Sequence, residues 1–410
     1  MQLVLTSGPF RALRHRNYRY YWFGQAISVI GSWMQNMAMQ WLALELTNSA
    51  LLLSIVTAVE QVPVMILSLF AGAILDRKQK KRVILITQSL LLFFAFLLFL
   101  ITYTHVVRYW HLVILALMRG LVTTFDNPAR QSYMITLVGK DDLPNAVGLN
   151  SMIFNLARII GPVIASLVIS TVGIEMCFLA NAVSFVPVII GVFMIDAKEP
   201  QKEENGKSVF AEVVEGLRYV YKTKVLLRAI SLVLIMGTFI LNFNVLIPVY
   251  AKLALGRNET GFGLLMSSMG IGSLMGAFLT AIRKKEKINL NLLFKFILSV
   301  SIVYILLGLN KSYTVACMLF VLVGLLAISF NTSANALLQL ASSDDFRARV
   351  LSIYFLCNAG TTPIGNLFTG TISQKISPWA GFYISGLVTI ALTTMVFITT
   401  FKKRNFEKTK

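Results

Sequence analysis

Twelve apolar runs, each close to the roughly 20 residues a helix needs to cross a bilayer, fill most of this chain. They lie near 19–44, 51–74, 83–104, 111–136, 144–170, 175–195, 226–251, 260–282, 289–309, 312–340, 346–372 and 378–401. A water-soluble core cannot hide that much apolar surface. Apolar residues make up 56% of the 410 and charged ones 13%, which is roughly half the charge of a soluble domain. In hydrocarbon every backbone N–H and C=O must be bonded within the chain, so the spans must be helical. The expected fold is an all-α membrane protein of twelve transmembrane helices.

The net charge of +19 does not indicate nucleic acid, because the cations do not share one soluble module. They sit in short stretches between the apolar runs. With the N-terminus inside, 29 of the 37 Lys and Arg fall in inner segments and 5 in outer loops. The positive-inside rule then places both termini in the cytoplasm of a cell-membrane protein. Residues 1–19 are Arg-rich and too short in apolar length for a cleavable signal, so the first helix is expected to insert uncleaved. Cys177, Cys317 and Cys357 lie in apolar runs without a CxxC pair, which argues against a disulfide frame, a metal site or a cofactor built on them.

The longest polar stretch, 196–225, carries the run KEPQKEENGK and reads as a flexible, solvated cytoplasmic linker. It divides the chain into a six-helix half at 1–195 and another at 226–401, followed by a cytoplasmic tail at 402–410. The halves echo each other: GAILD at 72–76 matches GAFLT at 276–280, and FDNPA at 125–129 matches FNTSA at 330–334. Gly161-Pro162 similarly matches Thr362-Pro363. Two pseudo-symmetric six-helix bundles suit alternating access about a midplane site.

Gly72, Asp76, Arg77, Lys81 and Arg82 stand between spans two and three. A carboxylate ending one helix with cations after it can latch neighbouring segments by charge-assisted hydrogen bonds, and a plain basic cluster is the alternative. The stretch resembles the loop signature of the major facilitator superfamily, with Gln79 where that signature has glycine. In span five, Asn155-Leu-Ala-Arg158-Ile-Ile-Gly161-Pro162 resembles the superfamily's antiporter signature, which accompanies export. Ala165 and Ser166 replace its following glycines. A simple proline kink is the alternative.

Further stretches resemble the enterobactin-exporter-like branch, also called transmembrane secretion effectors. They are Phe10 to Arg19, Gly24-Gln25, Gly31 to Gln35, Asp126 to Gln131, Leu143 to Ser151 and Asp344 to Val350. The resemblance covers nearly the whole chain. It implies the major facilitator fold, a monomer, proton antiport, and export of a small organic molecule such as a siderophore or a macrolide-like drug. A lysolipid or lipid transporter on the same fold is the alternative. There is no Gly-rich phosphate loop for ATP, and no paired metal-ligand cluster or Ser–base pair in the spans, so an enzyme is not expected.

Ionisable groups inside spans are costly and usually functional. Glu60, Arg119, Asp126 and Arg158 stand clear of the span edges. Helix rise puts Glu60 about 14 Å, Arg119 about 12 Å and Arg158 about 18 Å from the outer face. A Glu60 that alternates between apolar and Arg-paired settings would take up and release a proton. A Glu60 permanently tied to Arg119 or Arg158 would only hold helices together. Asp126 lies two turns below Arg119, close to the cytoplasmic end of span four, and the resemblance to the superfamily implies a latch with the basic loop and Arg130 there rather than a proton carrier. One Glu with two Arg leaves this half cationic, which favours an acidic or catechol-type substrate over a lipophilic cation.

Gln25, Ser28, Ser32, Gln35 and Met39 fall on one face of span one, with Trp33, Gln40 and Trp41 near it. Asn155, Asn242, Asn244, Asn331 and Asn335 add polar positions in spans five, seven and ten. Polar groups in hydrocarbon must line a wet cavity or bond to another helix; these are expected to line the substrate cavity, with interhelical hydrogen bonding the alternative, equally open for Asn331 and Asn335. His105 and His111 read as interfacial. Gly270, Gly272 and Gly276 read as helix packing rather than a nucleotide loop. Asn258-Glu-Thr260 is an outer-loop sequon.

Overall fold

A computed structural model describes residues 8, 10–76, 78–196, 209–282 and 288–408. Among them there is no strand. Helix α1 spans Arg16–Thr47, α2 Ala50–Asp76 and α3 Lys80–Tyr103. One continuous helical run, Tyr109–Val172, contains two spans joined at Gly139, whose φ of 73° breaks the helix there. A side chain would be strained at that φ, and glycine is not. We name its parts α4 (109–138) and α5 (140–172). Then follow α6 Glu175–Phe193, α7 Val209–Lys222, α8 Lys224–Phe239, α9 Phe243–Val249 and a π turn at Tyr250–Ala254. The chain continues through α10 Glu259–Ala281, α11 Leu290–Leu309, α12 Tyr313–Ala341, α13 Asp344–Ala359, α14 Thr362–Lys375 and α15 Ala380–Lys408.

Nine helical stretches among the described residues are long and apolar enough to cross a bilayer. The joined run of α4 and α5 counts once among them. The more polar α1 and the divided pair α13–α14 supply the remaining spans of the expected twelve. The protein is therefore an all-α, multi-pass membrane protein. Large apolar side chains such as Phe23, Phe93, Ile114, Leu167, Leu274 and Met395 are exposed on the spans, as lipid contact requires.

The chain forms two compact units, Met1–Leu46 with Val62–Asn205, and Thr47–Gln61 with Gly206–Lys410. The division falls inside α2, next to Pro63 in the helix interior. The first part of α2, up to Gln61, thus belongs with the second unit, where Ala50 N–H donates to Gln374 Oε1 of α14 at 2.9 Å. A boundary drawn at the polar linker alone misses this exchange.

In the first unit α1 is the centre. Leu75, Ile84, Tyr133, Ala146, Val188 and Val192 pack with its Tyr18 and Tyr21 in one cluster. In the second unit α10 lies backbone-to-backbone on α12. A Cβ on Gly272 would stand 1.8 Å from Val321 O, and one on Gly324 would stand 2.0 Å from Met269 O. Small residues at these crossings let van der Waals contact replace the hydrophobic drive that lipid removes. Tyr250, Tyr304, Phe320 and Phe382 fill the space beside them. Asn258 does not stand free as a sequon: its side chain caps α10 by accepting from Gly261 N–H at 3.2 Å.

The linker reading needs one correction. Residues 197–208 lie outside the described residues, but 209–222 is the helix α7 rather than flexible chain. Tyr219 stacks on Phe346 of α13 with ring centroids 4.3 Å apart, and Val220 is buried. That packing is what a polar average over 196–225 conceals.

Candidate functional site

In the first unit polar side chains of α3 and α4 converge on one carboxylate, and α1 joins them through Arg130. Asp126 is fully buried. Its Oδ1 accepts from Thr87 Oγ1 at 2.6 Å and Gln88 Nε2 at 2.8 Å, and its Oδ2 lies 2.8 Å from Arg130 Nε. Four residues separate Asp126 from Arg130, so they share a helix face. Arg130 also donates to Gln25 Oε1 at 2.8 Å and to Asn127 Oδ1 at 3.0 Å. Of the residues assigned to a gating latch, the structure joins Asp126 with Arg130. Lys81 Nζ donates to Phe193 O at 3.1 Å and Ile195 O at 2.5 Å, at the end of α6, where a cation offsets the helix dipole. Arg82 is exposed. Gly72 falls within α2, while Arg77 and the Asp76 side chain lie outside the described residues.

Arg119 donates to Asn36 of α1. It lines a small cavity of about 10 Å³, room for about one water, with Gln35, Asn181 and Phe185. Asn181 Nδ2 donates to Gln35 Oε1 at 2.5 Å, and Ser184 donates to Asn181 Oδ1. Gln25, Ser28 and Gln35 are therefore buried inside this unit, and for Gln25 and Gln35 the bonding is between helices. Ser32 is half-buried. Trp41 is buried and donates to Glu45 on its own helix at 2.9 Å.

Arg158 is placed by a glycine. A Cβ on Gly161 would stand 2.5 Å from Trp33 Cβ, so its absence lets α5 lie against α1. Arg158, three residues earlier on the same face, then carries its guanidinium over the Trp33 ring at 5.5 Å. Pro162 is buried at the same crossing. Asn155 turns back onto Ser151 O of its own helix at 2.9 Å.

Glu60 is half-buried on the part of α2 that belongs to the second unit. Arg119 and Arg158 belong to the first. In the second unit, a cavity of about 520 Å³ is lined by Asn331, Thr332, Asn335, Gln339 and Tyr354. Asn331 Oδ1 accepts from Asn358 Nδ2 at 2.8 Å, and Gln339 Nε2 donates to Asn335 Oδ1 at 2.6 Å. Its polar lining carries no formal charge. Asn242 is buried against Gly365 and donates to Thr238 O, while Asn244 is exposed.

Sequence reasoning missed one ion cluster. Asp142, 1% exposed in the first turn of α5, meets Arg11 Nε at 2.5 Å, Arg14 Nη2 at 2.8 Å and His15 Nε2 at 2.6 Å. Asn145 Oδ1 accepts from Ala12 N–H at 2.8 Å, and Tyr18 donates to Ala146 O at 3.0 Å. The hydrogen bond from His15 leads the interactions that hold the Asp142 carboxyl below its usual range. Arg11 and Arg14 add to it, and burial opposes it. The available signal was a run of Arg and His before span one with no acid of its own. Thr87, Gln88 and Asn181 gave no such signal.

A profile of the transmembrane secretion effector family of major facilitator proteins matches residues 7–409. The chain belongs to that family. Like other transmembrane secretion effectors it is a membrane transporter of the efflux type, not an enzyme. It is 25% identical to the staphyloferrin A transporter of Staphylococcus aureus, over 92% of this chain and 95% of that protein. It is also 25% identical to the multidrug efflux pump Tap of Mycolicibacterium fortuitum, over 88% and 90% of the two chains. Among solved structures, the nucleoside transporter NupG superposes with a TM-score of 0.74 at 14% identity, covering 93% of this chain and 98% of that one. That likeness speaks for the fold alone. The transmembrane secretion effector fold thus houses the polar network around Asp126 and the cations Arg119 and Arg158.

Proposed function

We propose that this protein works as a monomer in a cell membrane and exports a small organic molecule by proton antiport and alternating access. Both termini face the cytoplasm, as the distribution of Lys and Arg indicates. The observation that carries the reading is Arg158, a half-buried cation inside a span, held over the Trp33 face beside Gly161-Pro162. A cation resting on a π face keeps its charge available to an incoming anion. Together with Arg119 it favours a substrate bearing carboxylate or catechol oxygens, siderophore-like or drug-like, as the names of its relatives suggest. Within the second unit, the neutral amides of the cavity suit uncharged oxygen functions.

Proton coupling is assigned to Glu60. Asp126 is already engaged by two hydrogen bonds, from Thr87 and Gln88, and by the charge of Arg130, and serves as a fixed internal tie. The test is transport by the purified protein in vesicles carrying an imposed pH gradient. Carboxylate siderophores, macrolides and cationic dyes are compared, with Arg158→Gln alongside. Preference for acidic compounds, lost in Arg158→Gln, is expected. A clear preference for cationic dyes contradicts the assignment.

A further inference from the structure

Helix α7 presents two apolar faces, and the second unit covers only one. Its inner face, Gly216, Tyr219 and Val220, packs on α13. A Cβ on Gly216 would meet Arg349 Cβ at 3.0 Å, Tyr219 stacks on Phe346, and Tyr219 Oη accepts from Ser343 N–H at 3.1 Å. Glu215 pairs with Arg349 at 2.8 Å beside them. Later residues of α7 thus meet earlier residues of α13. The helix is held against the start of that span.

The other face carries Val214, Leu217 and Tyr221, which are 42%, 49% and 76% exposed. At 100° per residue these three fall within an arc of about 60°. Arg218 and Lys222, both exposed, follow next around the helix. After Thr223 the chain enters α8, whose Val225 and Leu234 are exposed apolar side chains on a span. The stripe thus leads within a few residues of chain into a lipid-facing span, is edged by cations, and ends in a tyrosine, a residue that favours the bilayer interface. In water such a stripe would be a hydration cost without return.

We propose that α7 is a membrane-surface helix. Its Val214, Leu217 and Tyr221 seat in the headgroup–acyl boundary of an anionic inner leaflet, and Arg218 and Lys222 reach lipid phosphates. Because α7 is pinned to α13 through Tyr219 and Glu215, the leaflet's charge bears directly on the inner end of span eleven. This assignment rests on the membrane-protein fold and does not depend on the substrate or the coupling ion.

The test uses the full chain with Cys177, Cys317 and Cys357 replaced by Ala and Leu217→Cys carrying a polarity-sensitive fluorophore. The protein is placed in vesicles of phosphatidylcholine with or without phosphatidylglycerol. Headgroup-region spin-labelled lipid is expected to quench the fluorophore at least about three-fold more than iodide does, and more strongly when phosphatidylglycerol is present. Arg218→Gln with Lys222→Gln should remove that dependence on lipid charge. Tyr221→Cys, labelled alike, supplies a second position if the first variant does not fold. Efficient iodide quenching means a stripe in water, and shielding from both quenchers means a stripe covered by protein. Either result overturns the proposal, and quenching indifferent to phosphatidylglycerol overturns the phosphate contact.

Discussion

Arg130 Nε lies 2.8 Å from the Asp126 carboxylate, one turn further along the same helix and out of contact with water on the carboxylate side. Removing one partner strands the other charge among Tyr21, Gln25 and Thr87. Breaking a buried pair in this way costs about 3–5 kcal/mol. Asp126→Asn should therefore lower the thermal midpoint of the purified protein clearly, and Asp126→Asn with Arg130→Gln should recover part of the loss. A single variant as stable as the wild type would show the pair to be dispensable.

Gly161→Leu should separate α5 from α1, since even a Cβ there would stand 2.5 Å from Trp33 Cβ. Overpacking of this kind costs about 1–3 kcal/mol. It would also carry Arg158 away from the Trp33 ring. We expect a strong fall in transport at normal membrane insertion, partly relieved by Trp33→Ala. Unchanged transport in Gly161→Leu would detach Arg158 from the function.

The clamp at Asp142 fixes a pH dependence. Its folded pKa is depressed, chiefly by the His15 hydrogen bond and then by Arg11 and Arg14. A group with a depressed folded pKa contributes stability above its ordinary value, near 4, and loses it only as pH falls through the lower folded value. The difference in thermal midpoint between wild type and Asp142→Asn should therefore not shrink between pH 7 and pH 5. A difference that collapses within that window would contradict the assignment.

The cavity in the second unit should discriminate uncharged oxygen-rich groups. Asn335→Leu with Gln339→Leu is expected to raise KM about ten-fold for the exported compound with kcat nearly unchanged, the pattern of lost uniform binding. A fall in kcat alone would remove these amides from substrate contact.

Much of this architecture is legible in the sequence. Apolar length gave the spans, because a bilayer tolerates no alternative to closed helical bonding. The packing role of Gly272 was legible too, since small residues serve close crossings in lipid. Helix α7 was hidden because the acidic and basic run before it dominates the average over 196–225, while its docking face is only three residues wide. Spacing places Gln25 and Gln35 on one face of α1. Spacing alone does not say whether a face meets water or another helix, and here both glutamines meet protein. The split of α2 beside Pro63 and the break at Gly139 depend on tertiary packing and on one backbone angle, to which hydropathy is blind.

The central claim is that Glu60 exchanges the coupling proton, and transport driven by an imposed pH gradient tests it most directly. In vesicles, the wild type should move its substrate in proportion to the gradient. Glu60→Gln should bind the same compound yet transport it at a rate the gradient no longer changes. Wild-type flux indifferent to the gradient, or Glu60→Gln flux that still follows it, would contradict the account.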